Sequence, residues 1–165
     1  MPPEPPIVLK DLTNEALLSL RLQIDTEMTA RGLTLNVGQL GEILALHYFN
    51  NTPGLPKLID AAKGAKNVDA LSRDGDRYSI KTALKAKKTG TIYPDGENRN
   101  KQLFEFLLVV QLTSHYQLDA IYRYSWDAFV KARAWDKRMN AWYIPINRKK
   151  LSLSEQIYPG AAPKE

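Results

Sequence analysis

The sequence contains no cysteine, and its two histidines, His47 and His115, lie far apart. The missing thiols exclude disulfide bonds, thiolate metal sites and cysteine nucleophiles, and they are compatible with a reducing cytosol. The histidines lack the spacing of a zinc site. P-loop, dinucleotide-binding and nucleophile-elbow motifs are also missing, so none of the common nucleotide-binding or serine-hydrolase signatures is present.

Long apolar runs are missing too. No segment approaches the roughly 18 apolar residues that a membrane helix needs, and the N-terminus has neither the basic start nor the apolar stretch of a secretory signal. We therefore expect no membrane association and a cytoplasmic location.

What is present is an ordinary globular composition with a positive excess. The 165 residues are 44 % hydrophobic and 25 % charged, which suits one domain with a sizeable core. We expect a flexible N-terminus over 1–10, a single domain over 11–157 and a flexible tail over 158–165. The formal net charge of +5, with a pI of about 9.3, is compatible with a polyanionic partner.

Hydrophobic periodicity predicts a mixed order of elements. Three segments have helical spacing: 13–31, 37–49 and 125–133. Five segments have strand-like patterns: 67–72, 77–84, 104–112, 118–124 and 142–146. A short helix is expected within 57–66, and 85–102 is expected to be a long loop. This order indicates the α/β (α+β) class, with one central mixed sheet flanked by helices.

The second predicted helix, 37–49, is apolar around much of its circumference, which is typical of a mostly buried helix. Asn36 is its expected N-cap, with Gln39 completing a capping box. One apolar face is formed by Leu40, Ile43, Leu44 and His47, and it is extended by Ala45, Leu46 and Phe49. Glu42 is the only acid on this helix. A lone helix glutamate is usually solvated, but an acid among apolar neighbours is easier to explain if it meets a cation.

The most informative segment is the predicted hairpin over 67–84. If the turn is a three-residue loop with Gly75 in the left-handed region, Ser72 pairs with Asp76 and Asp69 pairs with Ser79. Because side chains alternate along a strand, Asp69, Ser79 and Lys81 then share one face. A two-residue loop would shift the register by one and separate Asp69 from Lys81.

A carboxylate and a lysine that converge in this way suit phosphodiester hydrolysis. The carboxylate can hold a hard divalent cation such as Mg²⁺, and the lysine can orient or deprotonate a water or stabilise developing charge. The alternative is an exposed hairpin whose Asp and Lys form a surface salt bridge.

These residues resemble the motif of the PD-(D/E)xK nuclease superfamily, which places an Asp on one strand and a (D/E)-x-K triplet on the next. Asp69 matches the first Asp, Ser79-Ile80-Lys81 matches the triplet, and Glu42 matches the helix glutamate that often completes the site. The resemblance covers roughly residues 36 to 146. It departs from the family in two ways: Ser79 replaces the acid of the triplet, and an extra strand over 118–124 precedes the helix.

The resemblance implies a restriction-endonuclease-like fold and a catalytic set of Asp69, Lys81, Glu42 and Ser79. Asp69 and Glu42 would bind Mg²⁺ or Mn²⁺, Lys81 would act on the water, and Ser79 would hold the place of the second acid. Many such enzymes are homodimers because two strands need two sites, so a homodimer is compatible with the resemblance.

The loop after Lys81 is the predicted nucleic-acid contact. Lysines and arginines contact phosphates without reading sequence, and a tyrosine can stack on a base. The candidate residues are Lys85, Lys87, Lys88, Tyr93, Arg99 and Lys101. The alternative is a solvated, mobile loop. Trp126, Trp135 and Trp142 are predicted to be core residues rather than base-stacking ones.

We therefore expect a Mg²⁺-dependent nuclease-like domain that acts on nucleic acid, DNA rather than RNA, in a restriction or phage-defence setting. A catalytically inactive relative that binds DNA or serves as a scaffold is the alternative, and the serine at position 79 supports it. An unrelated α+β interaction domain with a similar hairpin is a third reading.

Overall fold

The computed structural model describes residues 6–33 and 36–160, and the chain divides into two compact units over 1–35 and 36–165. Of the predicted flexible ends, residues 1–5 and 161–165 lie outside the described residues, while 9–10 belong to a 3-10 helix and Tyr158 ends a strand. The single-domain boundaries stay a prediction. In the part of the chain that the structure describes, no helix is both long and apolar enough to cross a membrane.

The first unit holds a short 3-10 helix, Leu9–Asp11, and helix α1, Asn14–Ala30. The helix begins where predicted because the Thr13 hydroxyl accepts the Ala16 N–H at 3.2 Å. The helix ends at Ala30. Gly32, two residues later, has a φ of 66°, the left-handed conformation that favours glycine after a helix. No residue of α1 is buried.

The second unit is built on a six-stranded mixed sheet. Its strands are β1 (Leu58–Asp60), β2 (Ala70–Ser72), β3 (Arg77–Leu84), β4 (Phe106–Leu112), β5 (Leu118–Ser125) and β8 (Glu155–Tyr158), and they lie in that order across the sheet. Strands β3 and β4 are parallel, and every other neighbouring pair is antiparallel. The predicted α+β class with a central mixed sheet is therefore confirmed.

The remaining elements complete the second unit. They are helices α2 (Val37–Asn51), α3 (Trp126–Ala132) and α4 (Arg148–Leu151), with a separate two-stranded sheet of β6 (Ala134–Asp136) and β7 (Ala141–Tyr143). The predicted caps are confirmed, since Asn36 accepts the Gln39 N–H at 3.3 Å and Ser125 accepts the Ala128 N–H at 3.2 Å. Strand β5 confirms the extra strand before α3.

Strand β4 lies at the centre of the core, with one apolar cluster on each face of the sheet. Leu108 and Val110 belong to the cluster that contains Ala45 and Phe49 of α2. Leu107 and Val109 belong to the other cluster, which includes Phe129 of α3. The alternation shows that α2 and α3 cover opposite faces, as the continuous apolar run of β4 requires.

Three sequence predictions were wrong in this region. Residues 58–60 form strand β1 rather than a short helix, because these residues pair with β2. The predicted strand over 142–146 is β7, which pairs with β6 outside the central sheet. The edge strand beyond β5 is instead β8. Each error concerns a strand of three or four residues, too short for a periodic pattern and stabilised by its neighbours in the sheet.

Helix α2 meets the sheet through the extended part of its predicted face, together with Gly41, while Ile43 and His47 of that face stay exposed. Its buried positions are Gly41, Ala45 and Phe49, while Ile43 is 47 % exposed and His47 is exposed as well. A Cβ atom at Gly41 would lie only 1.8 Å from the Thr82 Oγ1 on β3. Close packing against Thr82 therefore decides which side of α2 meets the sheet.

Gly41→Ala is expected to destabilise the protein. The added methyl must push α2 away from Thr82, which costs about 1–3 kcal/mol in a packed interior and exceeds the roughly 1 kcal/mol gained from helix propensity. Urea denaturation measures the difference. Gly38→Ala on the same helix is the matched control, because its nearest neighbour is the end of the Asn36 side chain at 3.2 Å. Equal stability of both variants would contradict this account of the contact.

The start of the parallel β3–β4 pair is held by an ion pair. Glu105 accepts the Arg77 backbone N–H at 2.6 Å and the Arg77 guanidinium at 2.8 and 3.0 Å. The Glu105 N–H in turn donates to the Arg77 carbonyl at 3.0 Å. The side-chain hydrogen bond from Arg77 holds the pKa of Glu105 below its usual range.

Glu105→Gln should therefore cost about 1 kcal/mol of stability near neutral pH, a value kept low because the pair is partly solvated. A lowered folded pKa stabilises the protein above the unfolded pKa of about 4.3, and this contribution disappears as the pH falls through the folded value. Urea denaturation at neutral and acidic pH should show the two proteins converging on the acid side. Glu97→Gln, at an exposed loop position, serves as the control and should change little at either pH.

Candidate active site

The turn between β2 and β3 adopts the predicted form. Gly75 has a φ of 84°, its N–H donates to the Ser72 carbonyl, and the Ser72 N–H donates to the Asp76 carbonyl, both at 3.0 Å. Ala70 lies opposite Tyr78. The three-residue loop is therefore confirmed, since a left-handed glycine at this position closes such a loop, and the predicted register holds as far as Ala70. The predicted pairing of Asp69 with Ser79 is not formed.

Asp69 lies one residue before β2, where the regular ladder stops. Its N–H donates to the Tyr78 carbonyl at 2.8 Å rather than continuing to Ser79. Its carboxylate Oδ2 accepts the Ile80 N–H at 2.7 Å. The side chain of Asp69 thus takes the place of a strand partner for Ile80, and this charge-assisted bond fixes one carboxylate oxygen at the edge of β3.

Lys81 and Ser79 share the face of β3 opposite to α2. They lie beside Val109 and Leu107 of β4, which belong to the cluster on the α3 side. Lys81 is half-buried. Its Cδ lies 3.9 Å from the position that a Cβ atom would take on Gly90, in the loop after β3. The loop therefore lies alongside the Lys81 side chain.

Ser79 is 1 % exposed, and its Oγ has no hydrogen-bond partner within the part of the chain that the structure describes. A buried hydroxyl without a partner is uncommon and calls for an explanation, such as a water or an ion. In the PD-(D/E)xK motif this position holds an acid. Here it holds Ser79, whose hydroxyl forms no hydrogen bond with any described residue.

Glu42 comes from α2 on the other side, next to the Gly41 contact. Burial raises its pKa above the usual range, and the negative charges of Asp69 and Asp60 raise it further, while Lys81 lowers it. Glu42 therefore senses the charges of Asp69, Asp60 and Lys81. Because Lys81 lies on the face of β3 opposite to α2, a common site for Glu42, Asp69 and Lys81 stays a prediction.

Asp60 was not among the predicted site residues. It ends β1 and lies opposite Ala70 of β2, so it is next to Asp69 across the sheet and contributes a third negative charge. The only sequence signal was an acid after the short apolar pair Leu58-Ile59. That signal is too weak to locate the residue without the strand pairing.

The carboxylates fit a hard divalent cation that keeps most of its water. No group of three metal-ligating side chains is assembled among residues 6–33 and 36–160. Mg²⁺ is usually bound through one or two carboxylates, with waters and phosphate oxygens completing its shell. Glu42 and Asp69 can provide that number, and a cation would relieve the repulsion between them.

The predicted nucleic-acid residues divide between different parts of the surface. Lys85, with a φ of 52°, borders a depression of about 320 Å³ at the carboxyl end of β3 together with Gln111 and Asp119. Tyr93 and Arg99 line a separate groove near β6 and β7. The structure thus does not bring the six residues together into one continuous surface.

Several of these cations already have partners within the protein. Lys88 pairs with Asp136 at 3.4 Å, and Lys101 pairs with Asp95 at 3.6 Å. The Arg99 guanidinium lies 4.1 Å from the ring centre of Trp135. Lys85 and Lys87 are exposed, which leaves their ammonium groups in water at the end of β3.

The loop over 85–102 is anchored rather than free. The Thr89 N–H donates to the Ile144 carbonyl at 3.0 Å, and Ile92 exchanges two backbone hydrogen bonds with Trp142 at 2.7 and 2.9 Å. Thr89 and Ile92 are both buried. The reading of this segment as a solvated, mobile loop does not describe its central part.

Comparison with known proteins adds no family to this description, because no protein-family model and no curated protein matches the chain. The function therefore has to be argued from the site itself.

The shared electrostatic environment of Glu42 is directly testable. Removing a neighbouring negative charge by Asp69→Asn should lower the pKa of Glu42, whereas Lys81→Ala should raise it, and burial should keep it above the usual range in both. Side-chain carboxyl NMR titration of metal-free protein measures these shifts. Asp74→Asn, in the exposed turn, is the control. A pKa of Glu42 that responds to neither site substitution would contradict the proximity.

Proposed function

We propose that this chain is a metal-dependent nuclease-like domain that hydrolyses phosphodiester bonds, with DNA as its substrate and a restriction or phage-defence role. The observation that supports the proposal is the Asp69 carboxylate held at the edge of β3 by the Ile80 N–H, together with the influence of Asp69 and Lys81 on the pKa of Glu42 in α2. Positional resemblance to the PD-(D/E)xK motif supports the same reading.

The proposed roles follow from the position of each side chain. Asp69, held by the Ile80 N–H, and Glu42 would bind Mg²⁺ or Mn²⁺. The ion, when bound, polarises a phosphate and lowers the pKa of a coordinated water. Lys81 would orient or deprotonate the attacking water or offset the charge that develops on the phosphate. Ser79 would hold the place of the second acid and hydrogen-bond to a water there.

The charge distribution supports a nucleic-acid partner. The chain has a net charge of +5, and exposed Lys85 and Lys87 follow directly after the strand that carries Lys81. Lysines at such positions hold phosphates without selecting a sequence. A homodimer and a cytoplasmic location remain part of the proposal as expectations from the resemblance and from the composition.

A second candidate function is a DNA-binding or scaffold module that has lost catalysis. The specific observation in its favour is Ser79, which removes a metal carboxylate from the motif, together with the missing three-ligand group among the described residues. The joint presence of Asp69, Glu42 and Lys81 favours the enzyme, because a scaffold has no need for a lysine and two mutually repelling carboxylates in one place.

The deciding experiment compares wild type with Lys81→Ala on supercoiled plasmid, linear duplex and single-stranded DNA in Mg²⁺ or Mn²⁺. We expect wild type to cut and Lys81→Ala to lose about 10²- to 10⁴-fold in rate, the usual contribution of a positioned proton-transfer group. Lys131→Ala, an exposed lysine on α3, is the control and should cut like wild type.

The other outcomes separate the candidates. Equal cleavage by wild type and Lys81→Ala would assign the activity to a contaminant and remove the mechanism. No cleavage by either protein, with DNA binding retained, would favour the non-catalytic module. Neither cleavage nor binding would overturn both candidates.

A further inference from the structure

A groove of about 470 Å³ lies on the surface between the loop over 85–102 and the β6–β7 sheet. Its walls include Lys66, Tyr93, Arg99, Trp135 and Asn140. The volume is in the range of small-molecule sites. Trp135 was predicted to be a core residue, but it lines this open groove instead.

The aromatic walls are held rigidly. Trp135 packs edge to face against Trp142, with ring centres 4.8 Å apart, and the Arg99 guanidinium covers Trp135 at 4.1 Å while that of Arg133 covers Trp142 at 3.8 Å. Such a ladder of cations and rings fixes the orientation of each plane. The groove is therefore a preformed surface.

Tyr93 presents its ring from an anchored backbone. The preceding residue, Ile92, is fully buried and bonded to Trp142, and the Tyr93 carbonyl accepts the Asn67 side-chain amide at 3.1 Å. Yet the tyrosine itself is 42 % exposed. The Tyr93 ring is therefore exposed on a fixed backbone. Among the described residues, no aromatic ring stacks on it, so its face is open to a ligand.

The groove is close in sequence and structure to the proposed site. Lys66 and Asn67 come just before Asp69, and Asn67 is bonded to Tyr93. A second cavity of about 210 Å³, which shares Lys66 and Asp95 with the groove, adds Lys101 and Gln102. Aromatic planes thus lie beside amine groups along the segment that leads to Asp69.

The charges inside the groove suit one base and its adjoining phosphate rather than several consecutive phosphates. Lys66, Arg99 and Lys101 are offset by Asp95 and Glu97 in the same walls. One nucleotide of a strand can therefore enter with its phosphate near Lys66, while the neighbouring phosphates stay outside, away from these carboxylates. Asn140 offers an amide, which can both donate to and accept from the edge of a base.

We infer that this groove binds an unpaired nucleobase, stacked on Tyr93 and the Arg99–Trp135 plane, with the adjoining phosphate at Lys66. The inference rests on the proposed nucleic-acid substrate and adds that the groove takes an unpaired segment of it, because the bases of a duplex are already stacked on one another. DNA and RNA bases present the same ring faces, so the test compares both. Every base has a ring face, so such a site tolerates any sequence.

The test measures binding of fluorescein-labelled 12-nucleotide probes by anisotropy in EDTA, which prevents cleavage. The probes are single-stranded DNA, single-stranded RNA, duplex DNA and a single strand of abasic sites. Tyr93→Ala should weaken binding to base-bearing single strands by roughly 5- to 100-fold, as expected for one lost stack. Binding to duplex and abasic probes should be unchanged. The DNA and RNA arms identify which strand is preferred.

Two further variants guard against a folding artefact. Tyr93→Phe retains the ring and should bind like wild type. Tyr116→Ala removes a tyrosine of similar exposure, 44 %, that does not line the groove, and it should also bind like wild type. Both comparisons are made after thermal unfolding has shown that the variants are folded.

Contrary results have distinct meanings. An equal loss on all four probes, or no loss with Tyr93→Ala, would overturn the stacking inference, as would failure of wild type to bind any single strand. None of these results decides the nuclease proposal, which is judged by metal-dependent cleavage and its dependence on Lys81. Selective single-strand binding without cleavage would support this inference while overturning the nuclease.

Discussion

The register of the β2–β3 hairpin is the constraint on which the candidate site depends. Because side chains alternate along a strand, a slip of one residue would exchange the two faces of β2 relative to β3. Gly75, in the left-handed region, closes the loop with Ser72 opposite Asp76. The same register brings Asp69 to the edge of β3, where its carboxylate meets the Ile80 N–H.

Around this hairpin, two other contacts bring the remaining groups into position. Gly41 lets α2 approach Thr82 closely, and this approach places Glu42 within the influence of Asp69 and Lys81. On the face of the sheet opposite to α2, backbone hydrogen bonds between Ile92 and Trp142 anchor the loop over 85–102. In this position Gly90 lies beside Lys81. The predicted site residues therefore come from two faces of the sheet: Glu42 from the α2 side, and Lys81, beside the anchored loop, from the other.

Local chemistry explains what could be predicted from the sequence. The Gly75 turn, the Asn36 and Ser125 caps and the apolar run of β4 each depend on residues that are close in the chain, and all four were predicted correctly. Strands β1 and β8 depend on distant partners and were missed, and Asp60 was missed with β1. On α2, the burial predicted for Ile43 and His47 was wrong because packing of Gly41 against Thr82 turns these two residues towards solvent.

The same distinction applies to the groove. Tyr93 was predicted to be a stacking residue from its place in a basic loop. Trp135 was predicted to be a core residue because large aromatic residues are usually buried. Its exposure follows from the pairing of β6 with β7 outside the central sheet, an arrangement that no periodicity in these three-residue strands indicates. Long-range pairing thus decides both the edge of the sheet and the wall of the groove.

The electrostatics of Glu42 give the strongest physical reason to look for function at this place. Partial burial and the charges of Asp69 and Asp60 all disfavour its ionised form, so near neutral pH the folded state carries an unfavourable interaction that a neutral residue at position 42 would avoid. Lys81 offsets only part of it, since the pKa is still raised. Unfavourable charge clusters of this kind are concentrated at sites that bind cations or move protons. The raised pKa of Glu42 agrees with the proposed role, and the hydrogen bond from the Ile80 N–H to the Asp69 carboxylate is the geometric observation beside it.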